Sequence, residues 1–295
     1  MTWHRGVEVK SERELEAMRR AGRINALALA AAVDLVRPGV TTREIDAAAA
    51  AVLQQHGAEP AFLNYPGPYP YPAVTTISVN DELVHGIPGA RRLIDGDIVS
   101  IDCGAVVDGF VGDSALTVGV GQISDKAQRL IDVTLASLQV GMAEMRPGRR
   151  TGDVSAAIQA YVEDHGFNVT REYTGHGVGR HMHEDPQVPN YGEPGKGLAL
   201  RPGMTIALEP MVLAGAAETR VLEDGWTVVS KDGGLTAHFE HSVAVTAAGP
   251  LVLTALDESG LKGRPAWYTE YFAGRLIRPA AKGEALPWHE GVRKA

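Results

Sequence analysis

The strongest constraint on this chain is that it repeats itself. Arg37-Pro38-Gly39 returns as Arg146-Pro147-Gly148, and His56-Gly57 returns as His165-Gly166, both at an offset of 109 residues. Between these landmarks run two helical stretches, TTREIDAAAAAVLQQHG and RTGDVSAAIQAYVEDHG. Thr41 with Glu44 supplies a capping box for the first, and Thr151 with Asp153 starts the second less completely. The echo continues downstream. Gly96–Asp102 resembles Gly203–Glu209, each carrying an acid six residues after its glycine, at the end of an apolar strand-like run. Asp113–Val118 resembles Glu240–Val245 at an offset of 127, so the second half holds an insertion around residues 214–236.

An internal repeat of this length predicts two related α+β halves, each with two helices followed by antiparallel strands. Their boundary falls near Gln122. Each half supplies two acids from comparable strands, so packing these strands into one sheet brings four carboxylates together. Carboxylates on buried strands are costly unless paired or bound to metal. Lys and Arg are absent from 98–117 and 204–217, which removes local ion-pair partners. A metal cluster answers that shortage, although any one acid read alone fits a strand end facing water. Asp102 and Asp113 in IDCGAVVDGFVGD are spaced to occupy adjacent antiparallel strands joined by a turn at Asp108-Gly109.

Three histidines, 176, 181 and 183, fall within eight positions of GHGVGRHMHEDP. Glycines 175, 177 and 179 deny that segment a regular helix and permit close backbone approach to a ligand. The single cysteine, Cys103, excludes an intramolecular disulfide framework and cysteine-rich zinc modules. Strand alternation turns it away from the face that carries Asp102. A net charge of −8 without a basic stripe argues against DNA binding. The longest apolar run, residues 26–33, is far short of the roughly 20 residues that span a bilayer. The N-terminus lacks a signal-peptide core. A cytoplasmic protein is expected.

Five segments now carry a resemblance. His85-Gly86-Ile87-Pro88, IDCGAVVDGFVGD, GHGVGRHMHEDP, ALEPMV and Phe239-Glu240-His241 occur in the order found in methionine aminopeptidases of the pita-bread metallopeptidase fold. The similarity runs from about Glu12 to about Leu253. It implies an α+β pita-bread fold, two pseudo-symmetric halves with a curved antiparallel sheet covered by helices. A single catalytic domain is expected over 1–262, with pseudo-repeats at about 11–121 and 122–253, followed by an aromatic-rich extension over 263–295.

The resemblance makes Asp102, Asp113, His176, Glu209 and Glu240 ligands of two divalent metal ions. Asp113 and Glu240 would bridge, Asp102 would hold one ion, and His176 with Glu209 the other. One nitrogen among many oxygens suits cobalt, manganese, iron or zinc without choosing among them. A metal-activated hydroxide would attack the first peptide bond, with Glu209 shuttling the proton, His183 stabilising the oxyanion and His85 contacting the scissile nitrogen. Tyr65, Tyr71, Thr76, Met182 and Trp226 match the pocket for the methionine side chain. The implied partner is the N-terminal initiator methionine of peptides and nascent proteins with a small second residue. Docking at the ribosome is left open, and a monomer is expected.

Two segments depart from the pattern. The stretch 64–72 looks about three residues longer than usual, and its four prolines predict a stiff, extended rim. The tail after Lys262 holds Trp267, Tyr268, Tyr271, Phe272 and Trp288, too many aromatics for a linker, and is expected to dock on the body. Two rival readings remain. A proline-specific aminopeptidase or dipeptidase shares the fold. A metal-free binding protein on that fold would have lost ligands, whereas all five positions here hold ligand-competent residues.

Overall fold

The computed structural model describes residues 3–276; Trp288 and the rest of 277–295 lie outside the described residues. The first half runs α1 (Glu12–Asp34), α2 (Thr42–Gln55), β1 (Glu59–Pro60), β2 (Thr75–Val79), β3 (Glu82–Val84), β4 (Ile98–Val107) and β5 (Phe110–Gly119). The second runs α3 (Asp125–Glu144), α4 (Thr151–Asp164), β6 (Asn168–Val169), β7 (Thr174–Gly177), β8 (Glu184–Pro189), β9 (Thr205–Leu208) and β10 (Met211–Leu213). It continues through β11 (Thr219–Val221), β12 (Val228–Ser230), β13 (Thr236–His238), β14 (His241–Thr246) and β15 (Gly249–Val252). Two short helices follow, α5 (Glu258–Leu261) and α6 (Ala266–Phe272). Gln122 sits between β5 and α3, at the predicted boundary.

Local chemistry explains where these elements start. Ser11 with Glu14 and Thr41 with Glu44 form complete capping boxes for α1 and α2. At α4 only half of the box is made, with the Asp153 carboxylate accepting from the Arg150 N–H at 2.7 Å. β4 and β5 pair antiparallel over their whole length, from Ile98 opposite Gly119 to Val107 opposite Phe110. Their two-residue turn places Asp108 at φ 51° and Gly109 at φ 73°. Both central residues are left-handed, as the tight hairpin turn requires.

The four carboxylates do not share one hydrogen-bonded sheet. Asp102 and Asp113 stand on the sheet of β1, β2, β4 and β5, whereas Glu209 and Glu240 adjoin β9 and β14 of a separate five-stranded sheet. The sheets meet through one backbone pair, with Glu240 N–H donating to Ala115 O at 2.8 Å and Ala115 N–H to Glu240 O at 3.4 Å. The Ser242 hydroxyl adds a second tie, accepting from the Asp113 N–H at 3.0 Å and donating to the Asp113 carbonyl at 2.9 Å. The two halves thus contribute separate sheets that touch at this seam.

Helices cover the sheets around one large core, which takes in Leu29 and Ile45 of the first half and Leu138 and Ile158 of the second. The tail joins the same core. Tyr268, Tyr271 and Phe272 of α6 are buried in it, and Trp267 packs against it. The insertion forms the β11–β12 hairpin, and β12 pairs with β3 of the first half. Among the described residues, no helix is long and apolar enough to cross a membrane.

Candidate active site

Asp102 lies opposite Ala115, and Asp113 opposite Gly104, so the two acids stand diagonally on one face of the β4–β5 ladder. Thr76 of β2 lies opposite Asp102. Asp102 is therefore mid-strand rather than at a strand end. From the other half, Glu209 follows β9 and Glu240 precedes β14. His176 of β7 completes the cluster, its Nε2 lying 3.3 Å from Glu209 Oε1 and 3.8 Å from Asp113 Oδ2. Potential ligand atoms of Asp113, His176 and Glu240 all lie within 4.8 Å of one another. The glycines around His176 do approach backbone closely, but the backbone is their own: a Cβ at Gly175 would meet Ala207 O, and one at Gly177 would meet Asp185 O. They seat β7 between its neighbours instead of making room for a ligand.

The electrostatics of this cavity are unbalanced. Asp113 and Glu240 are buried, and among the described residues no Lys or Arg lines the cavity. Asp102 Oδ1, Asp113 Oδ1 and Glu240 Oε1 have no hydrogen-bond partner. Burial, reinforced by neighbouring carboxylates, holds the pKa values of Asp102, Glu209 and Glu240 well above the ordinary range. Burial raises Asp113 to about 7. The histidines shift in the opposite sense, again through burial: His85 and His176 fall to about 4 and His183 to about 2. An ionised carboxylate buried without a partner costs several kcal/mol. Divalent cations would neutralise the acids, take up the orphaned oxygens and accept the neutral imidazole, so the residues present fit a metal centre.

His85 sits at φ 62°, an uncommon conformation for a residue with a side chain, in the bend after β3. Tyr71 pins that bend, donating to Gly86 O at 2.8 Å and Thr75 O at 3.1 Å. His183 lies with its ring centroid 4.4 Å from that of His176. Its Nδ1 is 2.6 Å from the Tyr65 hydroxyl. Beside them, Phe62, Tyr65, Tyr71, Thr76, Met182 and Trp226 line an apolar recess continuous with the acids. Trp226 comes from the inserted hairpin and packs edge-on to Tyr71, with centroids 5.1 Å apart. A Cβ at Gly67 would overlap the Trp226 ring, so glycine is required there. The 64–72 loop is bent back rather than extended: Asn64 N–H donates to Tyr71 O and Tyr71 N–H to Tyr65 O. These two bonds override the preference of its prolines.

All twelve site residues singled out from the sequence therefore line one cavity. Phe62, Trp3 and His238 were missed. His238 Nε2 faces Glu209 Oε2 at 3.7 Å and has no hydrogen-bond partner. Its signal was available, because it lies two residues before Glu240 and so shares its face of an extended chain. Cys103 is buried and free on the opposite face of β4, in the apolar core.

The chain is similar to known proteins in sequence and in fold. Residues 16–247 match metallopeptidase family M24. Methionine aminopeptidase 1 of Bacillus subtilis is 51% identical over 245 residues, covering 83% of this chain and 98% of the relative. The crystal structure of a Thermotoga maritima methionine aminopeptidase superposes with a TM-score of 0.82 at 44% identity, covering 84% and 99%. A prolidase from Pyrococcus horikoshii reaches a TM-score of 0.66 at 26% identity, covering 84% of this chain and 64% of that one. With the family match spanning most of the sequence and near-complete relatives aligned on it, the chain belongs to metallopeptidase family M24, in its methionine aminopeptidase branch.

Proposed function

We propose that this protein removes the initiator methionine from peptides and nascent proteins whose second residue is small. The observation that carries the reading is the juxtaposition of four carboxylates, Asp113 and Glu240 buried and Asp102 and Glu209 half-buried, with an apolar recess in a cavity that, among the described residues, no Lys or Arg lines. Asp102, Asp113, His176, Glu209 and Glu240 would hold two divalent cations, with Asp113 and Glu240 central to both halves. Bound there, the cations supply Lewis-acid charge and lower the pKa of water. The remaining work falls to side chains of this chain. Glu209 is placed to hold a proton and pass it to the leaving amine. His183, neutral by burial, would donate from Nε2 to the developing oxyanion in the tautomer whose Nδ1 accepts from the Tyr65 hydroxyl 2.6 Å away. His85 stands across the cavity to contact the scissile nitrogen.

Met182, Tyr71 and Trp226 enclose the methionine side chain. The recess offers no partner to a charged side chain, whose burial would be costly. The cytoplasm, where nascent chains emerge, is the proposed location, and the lone buried thiol fits it.

The test is a panel of peptides assayed with added manganese or cobalt, with and without a strong chelator. Peptides beginning Met-Ala, Met-Gly and Met-Ser should be cleaved, Met-Lys and Met-Phe hardly at all, and all turnover should stop with chelator. Preferential cleavage of an Ala-Pro peptide, with methionine peptides untouched, would move the protein to the proline-specific enzymes.

A further inference from the structure

The segment before α1 is fastened across the mouth of the site. Lys10 Nζ meets Glu184 Oε2 at 2.5 Å, with both side chains almost wholly buried. Lys10 N–H donates to Gly203 O at 2.7 Å. Nearer the N-terminus, His4 N–H donates to His183 O at 2.9 Å, and Asp185 N–H donates to His4 O at 3.1 Å. The His4 ring stacks on His181 with centroids 4.4 Å apart. The Asp185 carboxylate in turn accepts two bonds, from Gly6 N–H at 2.9 Å and from the Trp3 indole N–H at 2.8 Å. The indole cannot swing away without breaking this last bond.

That anchor sets Trp3 against the chemistry. Its ring lies 5.7 Å from His183 and 6.1 Å from His176, centroid to centroid. Trp3 does not line the apolar recess assigned to methionine. It lines a different cleft of about 270 Å³, which opens from Asp102, Glu209 and His238 past His85 and His183. For a peptide whose first side chain fills the recess, that cleft offers a path for the second residue, because it shares Asp102, His85, His176, His183 and Glu209 with the recess cavity. A large, flat side chain with few rotamers, tied at its nitrogen, makes a firm wall for such a passage.

We propose that Trp3 is a specificity-determining residue that walls the subsite for the second residue of the substrate and limits the size of side chain admitted there. This inference rests on the aminopeptidase reading above. It places a determinant of selectivity in the N-terminal arm, outside both repeats.

The experiment compares kcat/KM for Met-Ala-Ser, Met-Val-Ser and Met-Leu-Ser in the wild type, Trp3→Ala, Trp3→Phe and Asp185→Ala, all loaded with manganese. Trp3→Ala should raise the Met-Leu to Met-Ala ratio by about 10-fold, in line with what packing around one or two methylenes discriminates. Trp3→Phe should fall between it and the wild type, and Asp185→Ala should shift the ratio in the same direction by freeing the indole. If Trp3 merely braces His183, all three peptides slow in proportion and the ratio stays fixed, which overturns the proposal. Should Trp3→Ala fail to fold, Trp3→Phe and Asp185→Ala decide between these outcomes. A wild type that cleaves none of the three peptides would instead sink the aminopeptidase reading itself.

Discussion

The hydroxyl of Tyr271 donates to the carbonyl oxygen of Glu240 at 2.8 Å and to that of Ala115 at 3.0 Å. These are the two residues whose backbones pair where the halves meet. The ring of Tyr271 also stacks on His241, centroids 4.3 Å apart, and the His241 Nδ1 is 2.9 Å from the Thr254 hydroxyl. A residue from the tail thus clamps the seam on which two proposed metal ligands stand.

Tyr271→Phe keeps the stacking ring and removes the shared hydrogen bond. Losing a buried bond of this kind should cost about 1–3 kcal/mol. Urea unfolding should show a lower midpoint with an unchanged m-value. An unchanged midpoint would mean that the clamp contributes nothing to the seam.

Tyr65→Phe should cut kcat for Met-Ala peptides by about 10²-fold, the lower end for loss of one oxyanion donor. Without the hydroxyl 2.6 Å from Nδ1, the His183 tautomer that presents Nε2–H to the substrate loses that partner. Because the ring remains in the recess, KM should change little. A raised KM with normal kcat would return Tyr65 to a purely pocket-lining role.

Asp113→Asn should empty the metal centre more completely than His183→Ala, as read by metal analysis after gel filtration. The first removes a buried charge shared by both sheets. The second lies outside the proposed ligand set and should retain metal while losing about 10²–10³ in rate. Metal-free His183→Ala protein would place that imidazole among the ligands.

Stability of the metal-free protein should fall as pH rises above about 6.5. For Asp102, Asp113, Glu209 and Glu240 the folded-state pKa is raised, so between the ordinary carboxylate range and the folded pKa the unfolded chain binds fewer protons and stability falls, a loss complete at about pH 7 for Asp113. Below about pH 6.5 the buried histidines act in the opposite sense. Their pKa values are depressed, so the unfolded chain gains protons first and acidification destabilises, which offsets the acids there. Thermal melts across this range should slope downward with chelator and stay nearly level with manganese. Parallel curves would mean that the acids are not neutralised by cations.

The sequence made the repeat, the two helix pairs and the β4–β5 hairpin legible because each rests on short-range signals. Capping residues, apolar periodicity and an Asp-Gly turn are written locally, and the resemblance ordered the ligand positions along them. What escaped depended on contacts between distant segments. Tyr65 bonds His183 from 118 positions away, and Trp3 bonds Asp185 from 182 away. No local pattern encodes either. The 64–72 loop misled for a related reason: its prolines predict extension, but two backbone bonds from Asn64 and Tyr71 fold it back.

The inserted hairpin has a consequence for how this family can diversify. The carboxylates belong to the duplicated strands, where a change in either half disturbs the shared seam. Trp226 belongs to a segment that the first half lacks, and it is received by β3 and by the bent 64–72 loop. Trp226 and the four carboxylates therefore stand on different segments of the chain. A change in that hairpin can reshape the recess at Trp226 without altering the strands that carry the acids.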